Sequence, residues 1–306
     1  MNSARKPIVV VGSVTMDMVA CAPQIPRVGQ TVIGTAFHLT PGGKGANQAV
    51  AIARLGYPVE MVGLVGDDVY GPALLENLAR QGVGTSAMAQ VAGSSGLAPI
   101  FLSEAGENSI IVIPGANQHL SPAIVDQHRD VIASAGMVLC QLEIPMETLN
   151  RTLALCEELG VPVILDPAPA AALDSQVWKR VTWFTPNESE AAFYANGEVP
   201  PEETVRQLRA RGLRGILLKR GAEGAYVADA EGRSEWAAGF AVEVIDTVGA
   251  GDCFNGAFAV ALMEGMDAWT ASRFANAAAA LSVTGKGAQG ALPSRSDVDA
   301  LLARAC

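Results

Sequence analysis

Short apolar runs of strand length alternate with segments of helix length along most of this chain, and that alternation limits the fold more than any other feature. Runs at 8–11, 59–65, 138–141, 161–166, 183–185 and 216–219 read as strands. Segments near 72–81 and 122–134, then 146–159, 188–195 and 202–211, read as helices between or after them, and three more at about 250–264, 267–281 and 296–304 close the chain. Strands separated by helices of roughly 10–15 residues imply a parallel sheet covered on both faces. Segments 224–228 and 234–236 read as a late antiparallel extension. Two stretches break the pattern: 18–40, punctuated by Pro23, Pro26 and Gly29, and the extended pair 96–102 and 109–113 around a turn at 104–108. Both are expected to form a small sheet inserted in the main body. With 306 residues, one large α/β domain over 1–306, carrying inserted segments at about 16–40 and 95–114, is the expected organisation.

In such sheets ligands bind beyond the carboxyl ends of the strands. Gly12, Asp17, Glu143, Asp166, Asn187 and Lys219 all fall at or just after strand ends. Two glycine loops add chemistry. In Asp246-Thr247-Val248-Gly249-Ala250-Gly251-Asp252 three small residues precede an acid that opens an apolar helix. The free N–H groups of Gly249, Ala250 and Gly251 at that helix start can cradle a phosphate. A carboxylate beside an anion pocket is repelled by phosphate, so Asp252 suits the role of a base that takes a proton from an attacking hydroxyl. An N-capping Asp after a glycine turn is the plainer alternative. The second loop, Pro41-Gly42-Gly43-Lys44-Gly45-Ala46-Asn47, opens a helix through Leu55. It lacks the Ser or Thr of a Walker loop and offers Lys44 and Asn47 as donors.

Composition removes other classes. The net charge of −10 argues against nucleic-acid binding by bulk electrostatics. No apolar stretch approaches the ~20 residues of a membrane span. Arg5-Lys6 and the short run after them lack the length and cleavage site of a signal peptide. Five scattered cysteines without a C-x-x-C pair fit a reducing cytoplasm and neither a disulfide framework nor a zinc site. Cys253 sits at a helix start, where a thiolate is favoured electrostatically, but a small first-turn filler is the preferred reading. His38, His119 and His128 have no ligand-like spacing. A dinucleotide oxidoreductase fails because no G-x-G-x-x-G follows the first strand.

The chain resembles the ribokinase-like, phosphofructokinase-B type carbohydrate kinases almost from end to end. Gly12-Ser-Val-Thr-Met-Asp17 resembles the family's first substrate motif, and Gly42-Gly43-Lys44-Gly45-Ala46-Asn47 and Asp246–Asp252 its two signatures. Gln141-Leu142-Glu143, Asp166-Pro167-Ala168-Pro169, Thr185-Pro186-Asn187-Glu188-Ser189-Glu190 and Lys286-Gly287-Ala288-Gln289 extend the match toward the ribokinase branch. The resemblance implies a lid formed by the inserted sheet and a homodimer through it. It implies a sugar held by Thr15, Asp17, Gly43, Lys44, Asn47 and Glu143, with Asp252 as base. It places ATP near Asn187, Lys219, Gly221, Gly224, Gly251 and Asn276, and Mg²⁺ near Asn187 and Glu190 through water. A monovalent cation such as K⁺ is implied near Asp246, Val248, Ser282, Gly285 and Gly287. The expected activity is ATP-dependent phosphorylation of the terminal hydroxyl of a pentose, ribose first.

Two departures bear on this. Thr15 stands where such kinases usually carry Asn, losing the amide's reach and second donor. That keeps open 2-deoxyribose, another sugar or sugar acid, or a nucleoside as substrate. Ala291 stands where a Ser ligand to the monovalent cation is common. A non-catalytic sugar sensor on the same fold is the rival from another class, and the intact Asp252 with its glycine loop argues against it.

Overall fold

The computed structural model describes residues 5–304; Cys306 lies outside the described residues. The strands are β1 (Ile8–Val11), β2 (Thr15–Ala22), β3 (Ala36–Gly42), β4 (Val59–Gly66), β5 (Gly84–Val91), β6 (Gly96–Ser103), β7 (Asn108–Ile110), β8 (Met137–Cys140), β9 (Val163–Leu165), β10 (Trp183–Phe184), β11 (Gly215–Lys219), β12 (Gly224–Ala228) and β13 (Ser234–Ala238). The α-helices are α1 (Lys44–Arg54), α2 (Gly71–Arg80), α3 (Pro122–Gln127), α4 (Arg129–Ser134), α5 (Met146–Leu159), α6 (Val177–Arg180), α7 (Glu188–Tyr194), α8 (Pro201–Ala210), α9 (Ala250–Met263), α10 (Ala268–Ser282) and α11 (Arg295–Arg304).

The main sheet runs β13-β12-β11-β10-β9-β8-β1-β4-β5. From β11 to β5 every pairing is parallel, and β12 and β13 add antiparallel at one edge. Its central strands are buried on both faces, so β1 reads as an unbroken apolar run. Successive side chains alternate between two cores: Ile8 and Val10 pack with Phe254, Phe258 and Phe274, while Val9 and Val11 pack with Leu149, Leu153 and Leu208. Phe258 is fully buried edge-on to Trp183, with ring centroids 5.2 Å apart. Such a ring carries about 3–5 kcal/mol against truncation to alanine.

A separate sheet, β3-β2-β6-β7, forms from the two stretches that broke the alternation. β2 leaves the end of β1 after three residues, so this sheet stands over the carboxyl edge of the main one. No strand spans 23–35, where Pro23, Pro26 and Gly29 hold the chain in loops. The expected strand 109–113 shortens to β7, with Ile113 contributing one bridge to Leu97. The expected helix 122–134 divides into α3 and α4 at His128, whose φ −100°, ψ 23° leaves the helical region. β5 was not anticipated: Gly84-Thr85-Ser86-Ala87 is small and polar, and as an edge strand it has one neighbour, β4. No helix among the described residues is long and apolar enough to cross a membrane.

Candidate active site

The end of β1 and the start of α1 cross at backbone contact, and two glycines permit it. A Cβ on Gly45 would lie 2.6 Å from the Ser13 nitrogen, and one on Gly12 would lie 2.9 Å from the Gly45 Cα. Gly43 caps α1 at φ +91°, a conformation disfavoured for residues with a Cβ. The crossing joins Ser13, Lys44 and Glu143: the Ser13 hydroxyl donates to Glu143 Oε2 at 2.5 Å, and the Lys44 N–H donates to the same oxygen at 3.0 Å. At the first residue of β2, Thr15 Oγ1 donates to Asp17 Oδ1 at 2.8 Å. Both side chains lie on one face of the strand, as the period of two requires. Gly42 sits against that carboxylate, where a Cβ would come within 2.3 Å of Asp17 Oδ2. Burial pushes the Asp17 carboxyl up to about 6, with the Glu143 charge adding to it and the Thr15 hydroxyl opposing it. A cavity of about 360 Å³ between Ser13, Thr15, Asn117, Glu143, Leu142 and Val112 lies beneath the small sheet.

A larger cleft of about 470 Å³ adjoins Asp252. Lys44, Asp166, Asn187, Glu190, Lys219, Gly221, Gly249 and Gly251 line it. Gly249 caps α9 at φ +78°, with a virtual Cβ 2.8 Å from the Ala288 Cα, so only glycine fits there. Gly249 and Gly251 line the cleft at the start of α9, whereas the Ala250 N–H, expected to be free, already donates to the Thr247 carbonyl at 3.2 Å because the turn into the helix closes on it. Two cations face the same space. Lys44, ringed by Asp252, Asp166, Glu143 and Glu190, is held firmly protonated despite its burial. Lys219 Nζ pairs with Asp166 Oδ1 at 2.8 Å. Asp252 is buried and accepts from Asn47 Nδ2 at 2.9 Å and Gln48 Nε2 at 3.3 Å. Desolvation lifts its carboxyl to about 6; Lys44 and the Asn47 bond pull down, and Asp166 and Glu143 push up. A carboxylate with a pKa just below neutrality is ionised yet basic enough to accept a proton.

The structure disperses some of the anticipated residues. Asn187 and Glu190 line the cleft but form a closed capping box, in which the Asn187 N–H and Nδ2 donate to Glu190 at 2.8 and 2.9 Å. Asn276 is not among the residues lining this cleft, and its Nδ2 bonds the carbonyls of Ala237 and Ala238 at 2.8 and 3.2 Å, tying α10 to β13. Gly224 also sits outside the cleft lining, and its φ of +103° serves the tight entry to β12, where a Cβ would meet the Ala237 carbonyl. Asp246 accepts from the N–H groups of Val248 and Gly287 at 3.0 and 2.8 Å, joining the loop before α9 to the one after α10. The Ser282 hydroxyl donates to the Ala279 carbonyl, and Ala291 places only a methyl against Gly285. Cys253 is no thiolate: burial pushes its thiol up to about 12.

Sequence reasoning did not single out Ser13, Gln48, Asn117 and Gln289 as working residues. Gln48 bridges Asp252 and Asp166. Asn117 bonds both polar groups of Val14 through its amide and fixes the turn into β2. The available signal was polar residues at positions of apolar spacing, since all four are buried.

A doubly covered parallel sheet with an anion pocket at a helix start, two facing cations and a buried basic carboxylate defines a phosphotransferase. Comparisons with known proteins agree. The pfkB family carbohydrate kinase pattern matches residues 5–295. A ribokinase of Bacillus subtilis (strain 168) is 46% identical over 296 residues, covering 96% of this chain and 99% of its own. A deoxyribokinase of Salmonella typhimurium is 36% identical over 293 residues, covering 94% and 95%. The structure of Arabidopsis thaliana ribokinase complexed with ribose and ATP superposes with a TM-score of 0.92 at 33% identity, covering 98% and 99%. The chain belongs to the pfkB family of carbohydrate kinases, phosphotransferases that act on an alcohol group.

Proposed function

We propose that this kinase transfers the γ-phosphate of ATP to the terminal hydroxyl of D-ribose, giving ribose 5-phosphate. The observation that carries the reading is Asp252, a buried carboxylate bonded by Asn47 that lines the same cleft as Lys44 and Lys219. The sugar lies between Asp17, Glu143 and the backbone at Gly43, whose acceptors match vicinal hydroxyls that would be costly to bury unpaired. Lys44 and the second N–H of Asn47 donate toward the same sugar and the transferring phosphoryl group. Asp252 takes the proton as the hydroxyl attacks in line, and the amides of Gly249 and Gly251 hold the developing charge. ATP phosphates run past Lys219 and Gly221, and the small sheet closes over the sugar to exclude water.

Among the described residues no group of three or more His, Cys, Asp or Glu side chains could hold a metal directly. The residues fit Mg²⁺ in the manner of a cation held by phosphate oxygens and water, with Glu190 and Asn187 at the second sphere. Bound there, it neutralises phosphate charge. K⁺ would have the Asp246 carboxylate, each of whose oxygens accepts one backbone N–H and keeps a further lone pair, but no side-chain oxygen from Ala291. Free cysteines fit a cytoplasmic setting.

A second reading, 2-deoxyribose as substrate, is favoured by Thr15, whose one hydroxyl proton is committed to Asp17. The test is one assay of ADP formation across ribose, 2-deoxyribose, hexoses, sugar acids and nucleosides. Turnover of ribose above all others supports the first reading, a preference for 2-deoxyribose supports the second, and turnover of none points to a sensor.

A further inference from the structure

Asp252 is the end of a string of side-chain amides that begins at the protein surface. The exposed Arg80 donates to Asn77 Oδ1 at 3.2 Å, Asn77 Nδ2 to Gln289 Oε1 at 2.8 Å, Gln289 Nε2 to Asn47 Oδ1 at 3.0 Å, and Asn47 Nδ2 to Asp252 Oδ2 at 2.9 Å. The three amides are buried, and they come from α2, the loop after α10, and α1. Every link donates in the same direction, and both ends dictate that polarity. A guanidinium has donors only, so Asn77 must turn its oxygen toward Arg80. An ionised carboxylate accepts only, so Asn47 must present its NH₂ to Asp252. Between those ends no amide can flip without setting oxygen against oxygen and nitrogen against nitrogen in a dry interior.

We propose that Asn77 and Gln289 are positioning residues that lock the Asn47 amide with its donor toward the catalytic base. This rests on the reading of Asp252 as the base. The groups facing Asp252 are Lys44 on α1, Asp166 beyond β9 with its partner Lys219, Glu143 beyond β8, and Cys253 on α9 itself. Of these only Lys44 favours the ionised carboxylate directly, and the two nearby acids oppose it. Asn47 at 2.9 Å, with Gln48 at 3.3 Å, therefore supplies the hydrogen bonds that favour the ionised Asp252, and a change two links away can reverse the Asn47 amide. A string that merely fastened the C-terminal loop to α1 and α2 would be indifferent to its own direction. That difference is testable.

Asn77→Asp makes the first amide an acceptor only. It keeps the Arg80 contact but forces Gln289 and then Asn47 to reverse, so that the Asn47 oxygen faces Asp252. The acid limb of kcat, measured at saturating ATP and sugar, should move up by about one pH unit, with kcat at pH 5 falling about tenfold. Gln289→Met cuts the string without reversing Asn47. It should lower the unfolding temperature and leave the limb in place. The double variant keeps the new charge but removes the link, so the limb should return to its wild-type position. A limb that stays put in Asn77→Asp, or a shift that persists in the double variant, overturns the proposal; the latter would mean that charge acts through space. Should Asn77→Asp fail to fold, Gln289→Glu against Gln289→Met poses the same question one link nearer. Asp252→Asn run alongside separates the two failures. If it is inactive while the limbs stay put, the string alone is wrong; if it is active, the base assignment falls and the string with it.

Discussion

Two carboxyls of the site, Asp17 and Asp252, are both raised to about 6, and their coincidence makes a sharp prediction about pH. In the proposed reaction each must be ionised, Asp17 to accept sugar hydroxyls and Asp252 to take a proton. The sign is fixed: a raised carboxyl loses its charge as pH falls through its folded value, so activity falls on the acid side. At pH 7 each group is about 90% ionised and at pH 5 about 9%, which is a loss of about tenfold per group. For kcat/KM with respect to sugar, where the free enzyme titrates, the two losses multiply to about 100-fold between pH 7 and 5. For kcat the loss should be about tenfold, because bound hydroxyls hold Asp17 ionised and leave Asp252 alone to titrate. ADP quantified by chromatography at saturating ATP and Mg²⁺ measures both without a pH-sensitive coupling enzyme. In Asp17→Asn the kcat/KM profile should drop to a lower plateau and lose one order of its acid slope. A wild-type kcat/KM that falls tenfold or less over this range, or an Asp17→Asn slope equal to wild type, would refute the pairing.

Other outcomes are expected. Asp252→Asn should lower kcat by about 10²–10⁴-fold while sugar and ATP still bind by calorimetry; more than a tenth of the wild-type rate would remove its role as base. Thr15→Asn should change the ratio of kcat/KM for ribose to that for 2-deoxyribose, within the scale of one hydrogen bond, about 0.5–1.5 kcal/mol; an unchanged ratio means that this position does not read the substrate. Removing divalent cation with EDTA should weaken ATP binding at least tenfold, and equal affinity with and without Mg²⁺ would contradict the charge balance described below. The small sheet exposes Phe37, Leu39 and Phe101 on one face, and Ile111 and Ile113 at its edge are exposed as well. A homodimer through it should therefore appear by light scattering at micromolar concentration and dissociate in Phe37→Glu, whereas a wild-type monomer would end that expectation.

What the sequence made legible was whatever local physics dictates. The parallel sheet followed from runs such as 8–11, whose all-apolar character only a strand covered on both faces can bury. The inserted sheet followed from two stretches that broke the alternation. The glycine loops were visible because few other roles demand Gly42-Gly43 or Gly249-Ala250-Gly251 ahead of a helix. The parts that escaped depend on long-range pairing. Gln289 meets Asn47 across 242 positions, and Ser13 meets Glu143 across 130, so no local window contains either bond. The amide of Asn276 likewise bonds the Ala237 and Ala238 carbonyls, 39 and 38 positions away.

The charges of the site explain why its halves are kept apart. Asp17, Glu143, Asp166, Glu190 and Asp252 outnumber Lys44 and Lys219, in a protein that is itself acidic. A triphosphate entering that field is opposed unless positive potential is concentrated where it lands. The fold arranges this by direction more than by number. Asp17 in β2 and Glu143 beyond β8 lie on the side proposed for the sugar, where the Thr15 and Ser13 hydroxyls donate to them. Asp166 is spent on Lys219 and Glu190 on its own capping box, which leaves the α9 amides, Lys44 and a divalent cation to meet the phosphates. Asp252 stands at the border with Lys44 on one side and amide donors on the other, and that is where a hydroxyl proton has to be taken without repelling the phosphoryl group it will join.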